Sequence, residues 1–433
     1  MRFSFLSVPL LGLLGVLCLP GASTAQDSRA RYQRIVNQSS QQPNGQPFNL
    51  VGDVVGSVLS SFDVQQGRVA FLQWDTNATV PPGVRVQSAI YVAEPDGTFR
   101  QIVDRLTPLP GGGGTFTSFR SPRFFEDGVA FASGSIYVVR SSGTIDAVVD
   151  EATFGASEFL AVGDDVLAAT TAQAVLRLEG GSLQTIATVG GLAPDGVSTF
   201  TSFGPIAVSA ELLAFQATTS SGAGLFAFDG TSLEIVADSA TVLPASGLLY
   251  EQASPAGTHR KPLAVDGARL YFVQEVQNQC QAGAYVWESG ALEQVVGPST
   301  LDPASGQPLL CVYDVFAEGD RLWFRGSPTP PAGGGPGIPF TDGSLYAVTA
   351  RGAQRLFGQD DPLFGGRVYQ FDAVLDSSAD VVFVSTSILG DNAGLFAVSG
   401  VGSAPPVPGP GPFGLVVLVA LLGGFALRRL AVT

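Results

Sequence analysis

The sequence is poor in the side chains that most often carry out chemistry. Its 433 residues include one His, one Met, three Cys and a single lysine, Lys261. Charged residues make up 14% of the chain, and the formal net charge is -15. A sparse acidic surface without a basic stripe repels phosphate backbones, so nucleic-acid binding is disfavoured. No long amphipathic helix is visible between the two ends of the chain.

Glycine and proline are abundant, with 54 and 29 residues, and hydrophobic residues make up 45% of the chain. This composition favours many short strands joined by tight turns. Residues 206–238 contain four short apolar runs separated by turn residues, and weaker copies of this unit recur along the chain. The second run occurs seven times, at residues 69–71, 129–131, 166–168, 213–215, 270–272, 322–324 and 381–383.

Tight turns such as Asp127-Gly128 and Asp266-Gly267 precede the second run and predict hairpins. The third run also occurs seven times, and aromatic residues recur at one of its positions, which predicts packing between units: Tyr91, Tyr137, Phe226, Tyr285 and Tyr346. The repeat therefore predicts an all-β fold, a seven-bladed β-propeller over residues 30–400.

The seventh unit lacks its fourth run because it stops near Gly400. At the other end of the chain, residues 32–36 resemble the fourth run of the sixth unit, residues 354–357. We expect this N-terminal segment to supply the last strand of the last blade and to close the ring, which removes an unpaired edge. An open seven-unit array with a disordered N-terminal segment is the alternative.

The connections predict where function lies. Those between the first and second runs and between the third and fourth runs are short. Insertions fall in the other connections, at residues 75–87, 106–117, 192–202, 242–261, 298–310 and 326–341. Elaborated loops on a rigid scaffold usually carry binding residues, so we predict that this face is the interaction surface. Gly- and Pro-rich connections without a partner are the alternative.

No residue set predicts a catalytic, cofactor or metal site. We interpret the only histidine, His259, as a solvated loop residue rather than a base. Asp360-Asp361 and Asp391-Asn392 leave a calcium site open, although no EF-hand spacing is present. Cys280 and Cys311 form a candidate disulfide in an exported chain. Two unpaired buried thiols are the alternative.

The two ends of the chain predict export and membrane attachment. Residues 1–25 have a positive start, an apolar core and small residues before a plausible cleavage point, as in a secretory signal peptide. Residues 401–412 form a Pro/Gly-rich spacer. Residues 413–429 form an apolar segment that ends in Arg428-Arg429, which predicts a transmembrane helix with the arginine pair on the cytoplasmic side.

The order of spacer, apolar helix and arginine pair resembles the bacterial sorting tails of the PEP-CTERM type, which exosortases process. Residues 407–410 read Val-Pro-Gly-Pro where the named motif has Pro-Glu-Pro. The resemblance implies a transient membrane anchor, and a plain single-pass anchor is the alternative. The repeat itself, with its Val-Ala-Phe and Gly-Leu-Phe runs, resembles secreted bacterial propeller-repeat proteins of unassigned function.

These observations predict a non-catalytic binding or structural module of the bacterial cell envelope or extracellular matrix. Its expected partners are an envelope polysaccharide or a surface protein, together with the membrane through residues 413–429. The alternative is an extracellular hydrolase or lyase acting on glycans. Such an enzyme would place carboxylates and arginines on the first run of each unit, at the mouth of the central channel, and these runs are mostly apolar.

Overall fold

The computed structural model describes residues 31–37, 40–45, 48, 62–75, 86–251, 262–274, 283–318, 321–328, 344–349, 352–358, 370–376, 381–387 and 394–399. Several predicted features lie outside these residues: the signal peptide at 1–25, the spacer at 401–412, the apolar segment at 413–429 with Arg428 and Arg429, His259, Cys280, and the acidic pairs at 360–361 and 391–392. Within the described part, no helix is long and apolar enough to cross a membrane.

The described residues form 28 β-strands and one helical turn, α1 (Glu151–Phe154). The first half of the strands are β1 (Arg31–Asn37), β2 (Phe62–Gln65), β3 (Arg68–Asp75), β4 (Val86–Ala93), β5 (Phe99–Asp104), β6 (Arg120–Phe125), β7 (Gly128–Ser133), β8 (Ser135–Val139), β9 (Ile145–Val149), β10 (Ser157–Gly163), β11 (Val166–Thr171), β12 (Ala174–Glu179), β13 (Ser182–Thr188) and β14 (Phe200–Val208). The second half are β15 (Leu213–Thr219), β16 (Gly222–Phe228), β17 (Leu233–Asp238), β18 (Leu263–Asp266), β19 (Arg269–Gln274), β20 (Gly283–Glu288), β21 (Ala291–Val296), β22 (Cys311–Glu318), β23 (Arg321–Ser327), β24 (Ser344–Thr349), β25 (Gly352–Gly358), β26 (Gln370–Asp376), β27 (Val381–Ser387) and β28 (Gly394–Ser399).

These strands pair into seven four-stranded antiparallel sheets. Sheets 1 to 6 each take four consecutive strands, beginning with β2 in sheet 1 and ending with β25 in sheet 6. Sheet 7 has the order β26, β27, β28, β1. The predicted four-strand repeat is therefore confirmed in the described part of the chain.

Strand β1 joins the two ends of the described chain. It runs antiparallel to β28, with Arg31 opposite Ser399 and Asn37 opposite Gly394. This is the fourth-strand position of sheet 7, where the repeat predicts the N-terminal segment. The outer edge of β28 is consequently paired rather than exposed.

The sheets are arranged with their first strands next to one another. The first strand of each of sheets 1 to 5 contacts the first strand of the following sheet, and β26 of sheet 7 contacts both β22 and β2. Each sheet therefore packs face to face against its neighbours, with its first strand innermost. This is the arrangement of blades in a β-propeller.

Apolar side chains between neighbouring sheets form the core. One cluster joins Leu72 and Ile90 of sheet 1 to Phe131 and Tyr137 of sheet 2. The recurring aromatic residue of the third strand stacks on a phenylalanine of the second strand in five sheets, as in Phe324–Tyr346, with ring centroids 5.1 Å apart and planes inclined by 12°. The predicted packing role of these aromatic residues is confirmed, because four of them belong to clusters that span two sheets. Ile35 of sheet 7 packs against the cluster that contains the fifth, Tyr91.

Candidate functional site

The antiparallel sheets give the molecule two unlike faces. We call the end that carries the connections between first and second strands and between third and fourth strands the turn face. Its connections are short, as at 126–127 and 229–232. The opposite end, the loop face, carries the connections between sheets and those between second and third strands. The longer described connections lie on the loop face, as predicted.

Five connections between sheets share the same turn and closing hydrogen bond in their described residues. We call them the connecting loops: residues 40–48, of which 46 and 47 lie outside the described part, 107–116, 191–200, 241–250 and 300–309. Each contains a proline that begins a turn, and a glycine closes that turn. The N–H of the glycine donates to the carbonyl of the residue before the proline, at 2.7–3.1 Å, as Gly306 does to Asp302 and Gly196 to Ala193. These glycines have φ between 66° and 82°, a conformation that favours glycine.

A second hydrogen bond closes the base of each connecting loop. The last residue donates its N–H to the carbonyl of the first, at 2.8–3.3 Å, as Phe200 does to Gly191 and Tyr250 to Thr241. The side chain of this last residue is buried in every case: Phe48, Phe116, Phe200, Tyr250 and Leu309. In loop 191–200, the Phe200 ring meets Phe226 edge to face at 5.0 Å. Each loop is thus fixed to the sheet beneath it.

Tyrosine hydroxyls hold three of these loops from below. Tyr91 donates to Gln42 Oε1 at 3.0 Å, and Tyr285 donates to Ser246 Oγ at 3.0 Å. Tyr346 donates to Asp302 Oδ1 at 3.2 Å. Burial, with the nearby Asp302 carboxylate, raises the pKa of Tyr346 to about 12, so its hydroxyl remains a neutral donor at physiological pH.

The second residue of three successive connecting loops is a large apolar side chain that faces solvent. Leu192 is 65% exposed, Val242 62% and Leu301 53%, and Leu249, which pairs with Val242 across its loop, is 53% exposed. We call these four residues the apolar ridge. Because the loops lead into sheets 4, 5 and 6, the ridge follows three neighbouring sheets along the loop face.

Exposed apolar side chains are concentrated on the loop face. The described residues expose eight large hydrophobic side chains, and seven of them lie in connections between sheets: Leu106, Val189, Leu192, Val197, Val242, Leu249 and Leu301. The eighth, Leu183, lies on β13. Scattered exposed leucines need no explanation, but apolar residues gathered on one face make that face a candidate interaction surface.

The three ridge-bearing loops carry little charge. Residues 191–200, 241–250 and 300–309 contain no Lys or Arg, and their only carboxylates are Asp195 and Asp302. Both accept local hydrogen bonds, from Ser198 and Ser305 among others. The ridge is therefore an almost uncharged surface on a strongly acidic protein.

Polar residues lie where the first strands reach the loop face. Arg120, Glu158, Thr201 and Ser202 are exposed at these strand ends, and the strand register shifts beside each of them. Because the first strands were predicted to be mostly apolar, these polar residues were not among the predicted site residues. A β-bulge displaces side chains from strict alternation, so apolar periodicity alone does not reveal them.

The remaining predicted site residues are only partly visible. Cys311 is buried at the start of β22 and is disulfide-bonded. Its predicted partner, Cys280, lies outside the described residues, as do residues 252–261 of the predicted insertion at 242–261. Within the described part of the chain, no three His, Cys, Asp or Glu side chains lie close enough together to hold a metal ion.

Comparisons with known proteins bear on the fold. No protein-family model matches the chain, and no curated protein matches it. Among solved structures, it is similar to PorZ, a surface component of the type IX secretion system of Porphyromonas gingivalis, with a TM-score of 0.50, 13% sequence identity, and coverage of 83% of this chain and 49% of that chain.

Two further structures align over most of both chains. They are the β-propeller domain of the Trilobed protease from Pyrococcus furiosus, with a TM-score of 0.48, 10% identity and coverage of 81% of this chain and 97% of that chain, and the polysaccharide lyase Uly1, with a TM-score of 0.43, 9% identity and coverage of 86% and 97%. Sequence identities this low do not indicate a shared activity. The seven four-stranded sheets and the contacts between their first strands establish a β-propeller.

Proposed function

We propose that the seven sheets are the blades of one ring closed by β1, and that this ring is an exported, non-catalytic binding module of the bacterial cell envelope or extracellular matrix. In this proposal, residues 1–25 direct export and residues 413–429 attach the chain to the membrane, at least transiently. The apolar ridge on the loop face is the binding surface.

The observation that carries this proposal is the ridge on its rigid supports. Leu192, Val242 and Leu301 are exposed, while the turns and aromatic residues beneath them fix their backbone. A surface that is already ordered loses little conformational entropy on binding, which favours affinity. The three loops lead into neighbouring sheets on the same face, so we assign a single partner to all three.

The chemistry of the ridge favours a surface protein over a polysaccharide. Its side chains are aliphatic, and its loops contain no Lys or Arg. A polysaccharide presents many hydroxyl groups, which lose hydrogen bonds to water unless the binding site supplies polar partners. An apolar patch on another protein has no such requirement. We therefore assign the ridge to a protein partner with exposed apolar side chains.

The test is a binding assay with the washed envelope fraction of the producing bacterium. The variant combines Leu192→Ser, Val242→Ser and Leu301→Ser, and the matched control is Leu183→Ser, an exposed apolar residue outside the connecting loops. Fully burying one Leu or Val contributes about 1.5–3 kcal/mol. Since 1.4 kcal/mol is about tenfold in affinity, the triple variant should bind at least about 100-fold more weakly.

The same assay separates the alternatives. Binding that disappears after protease treatment of the envelope fraction supports a protein partner, whereas protease-resistant binding indicates a polysaccharide. Equal binding by the triple variant and the Leu183→Ser control would remove the ridge from the proposal. New reducing ends in a panel of envelope glycans incubated with the protein would instead support the hydrolase or lyase alternative.

A further inference from the structure

Both ends of the propeller lie on the turn face. Arg31, which begins β1, is paired with Ser399, which ends β28. β28 occupies the third-strand position of sheet 7, and third strands end at the turn face, as β16 does before the turn at 229–232. The chain therefore leaves the propeller toward residue 400 on the face opposite the apolar ridge.

The two faces also differ in polarity. The described turns of the turn face carry many exposed carboxylates, among them Asp96, Asp127, Asp164, Asp165 and Asp229. Anionic lipid headgroups repel carboxylates, so this face belongs in the water layer beside a membrane rather than within it. The loop face also has exposed carboxylates, such as Glu151 and Asp195, but seven of the eight large apolar side chains that the described residues expose lie there.

From this geometry we infer that the tethered protein presents its turn face to the membrane and holds the apolar ridge away from it, so that the ridge meets a partner located outside that membrane. This orientation rests on the proposed attachment through residues 413–429. The spacer at 401–412 reaches at most about 37 Å if fully extended as polyproline II. Strands of six or seven residues place the ridge about 20 Å farther out.

The opposite orientation is the specific alternative. An exposed apolar ridge could instead insert into the bilayer, with the extended spacer passing along the outside of the propeller. The two arrangements reverse the order of the faces relative to the lipid. A distance measurement from each face of the same sheet therefore distinguishes them.

The experiment uses the full-length protein in phosphatidylethanolamine–phosphatidylglycerol vesicles that carry a fluorescent acceptor on the headgroups. Donor dyes are attached to Thr231→Cys on the turn face or to Val197→Cys on the loop face, at the two ends of sheet 4. The unsubstituted chain measures background labelling. Vesicle flotation first selects attached protein, and energy transfer is then compared between the two positions.

We expect stronger energy transfer from position 231 than from position 197. Equal transfer, or stronger transfer from position 197, overturns the orientation while leaving attachment intact. Protein that does not float with the vesicles overturns the tether and the orientation together. Ridge-dependent binding in the envelope assay is measured without vesicles, so its outcome is independent of both results.

Discussion

The buried carboxylate of Asp302 offers the sharpest test of how a connecting loop is held. It lies in loop 300–309 and accepts four hydrogen bonds. The donors are the N–H of Ala304 at 3.3 Å, the N–H and hydroxyl of Ser305 at 3.0 and 2.6 Å, and the hydroxyl of Tyr346 at 3.2 Å. The substitution Asp302→Asn keeps the shape of the side chain but replaces one acceptor oxygen with an N–H₂ group.

The four hydrogen bonds set the size of the expected loss in unfolding free energy. Two donors lose their acceptor, and a hydrogen bond to a charged group contributes about 1.5–3 kcal/mol. The Tyr346 hydroxyl can rotate and accept from the new amide, which recovers one neutral bond of about 1 kcal/mol. We therefore expect Asp302→Asn to lower the free energy of unfolding by about 2–5 kcal/mol at neutral pH.

The same carboxylate predicts a pH dependence. Burial raises the pKa of Asp302, but hydrogen bonds from Ser305, Ala304 and Tyr346 outweigh it and hold the pKa below its usual value. A group with a lowered folded pKa stabilises the protein above its unfolded pKa of about 3.9, and this contribution is lost as the pH falls through the folded pKa. The difference between the wild type and Asp302→Asn should therefore shrink below about pH 4.

Urea unfolding followed by fluorescence, at neutral pH and in acid, measures both effects. Asp195→Asn is the matched control, because Asp195 accepts the same local hydrogen bonds in loop 191–200 but is exposed, so water replaces the lost partners. Its loss should be clearly smaller. A wild-type unfolding free energy for Asp302→Asn, or an equal deficit at neutral and acid pH, would refute the reasoning.

Two further predictions concern the sheets. Arg325 Nε lies 2.6 Å from Asp314 Oδ2 in a buried ion pair, so Asp314→Ala should lower the free energy of unfolding in urea by about 3–5 kcal/mol. Glu288→Ala, in the more exposed Arg269–Glu288 pair, should lower it by about 0–1 kcal/mol. Equal losses in the two variants would contradict the role of burial. A chain that begins after β1 should unfold at a lower temperature and aggregate, because the edge of β28 becomes unpaired. The control begins at Arg31, and identical thermal transitions for the two chains would show that β1 does not stabilise sheet 7.

The repeat predicted the sheet order because its signals are local. A turn such as Asp127-Gly128 joins two apolar runs into a hairpin whichever sheet lies next to it. Once six units show four runs each, the missing run of the seventh identifies residues 32–36 by elimination, and β1 occupies that position. Strand pairing could be read from the sequence because it depends on spacing rather than on side-chain detail.

The site could not be predicted to the same depth. Leu192 and Val242 look like core residues in a hydrophobic pattern, but both are exposed. Their orientation follows from hydrogen bonds across each loop, such as Phe200 N–H to the Gly191 carbonyl, which no apolar period encodes. The spacing of proline, glycine and a buried aromatic or leucine residue within each loop is the sequence feature that marks these positions.

The ridge position itself shows that its apolar character is not required for folding. Gln41 occupies the equivalent place in loop 40–48, where the Pro43–Gly45 turn, the Gly45 N–H bond to Gln42 and the burial of Phe48 are the same as in the other loops. A polar, exposed residue is therefore compatible with the loop structure. Folding does not explain leucine or valine at Leu192, Val242 and Leu301, and exposing them to water lowers solubility. The proposed contact with an apolar partner would account for all three.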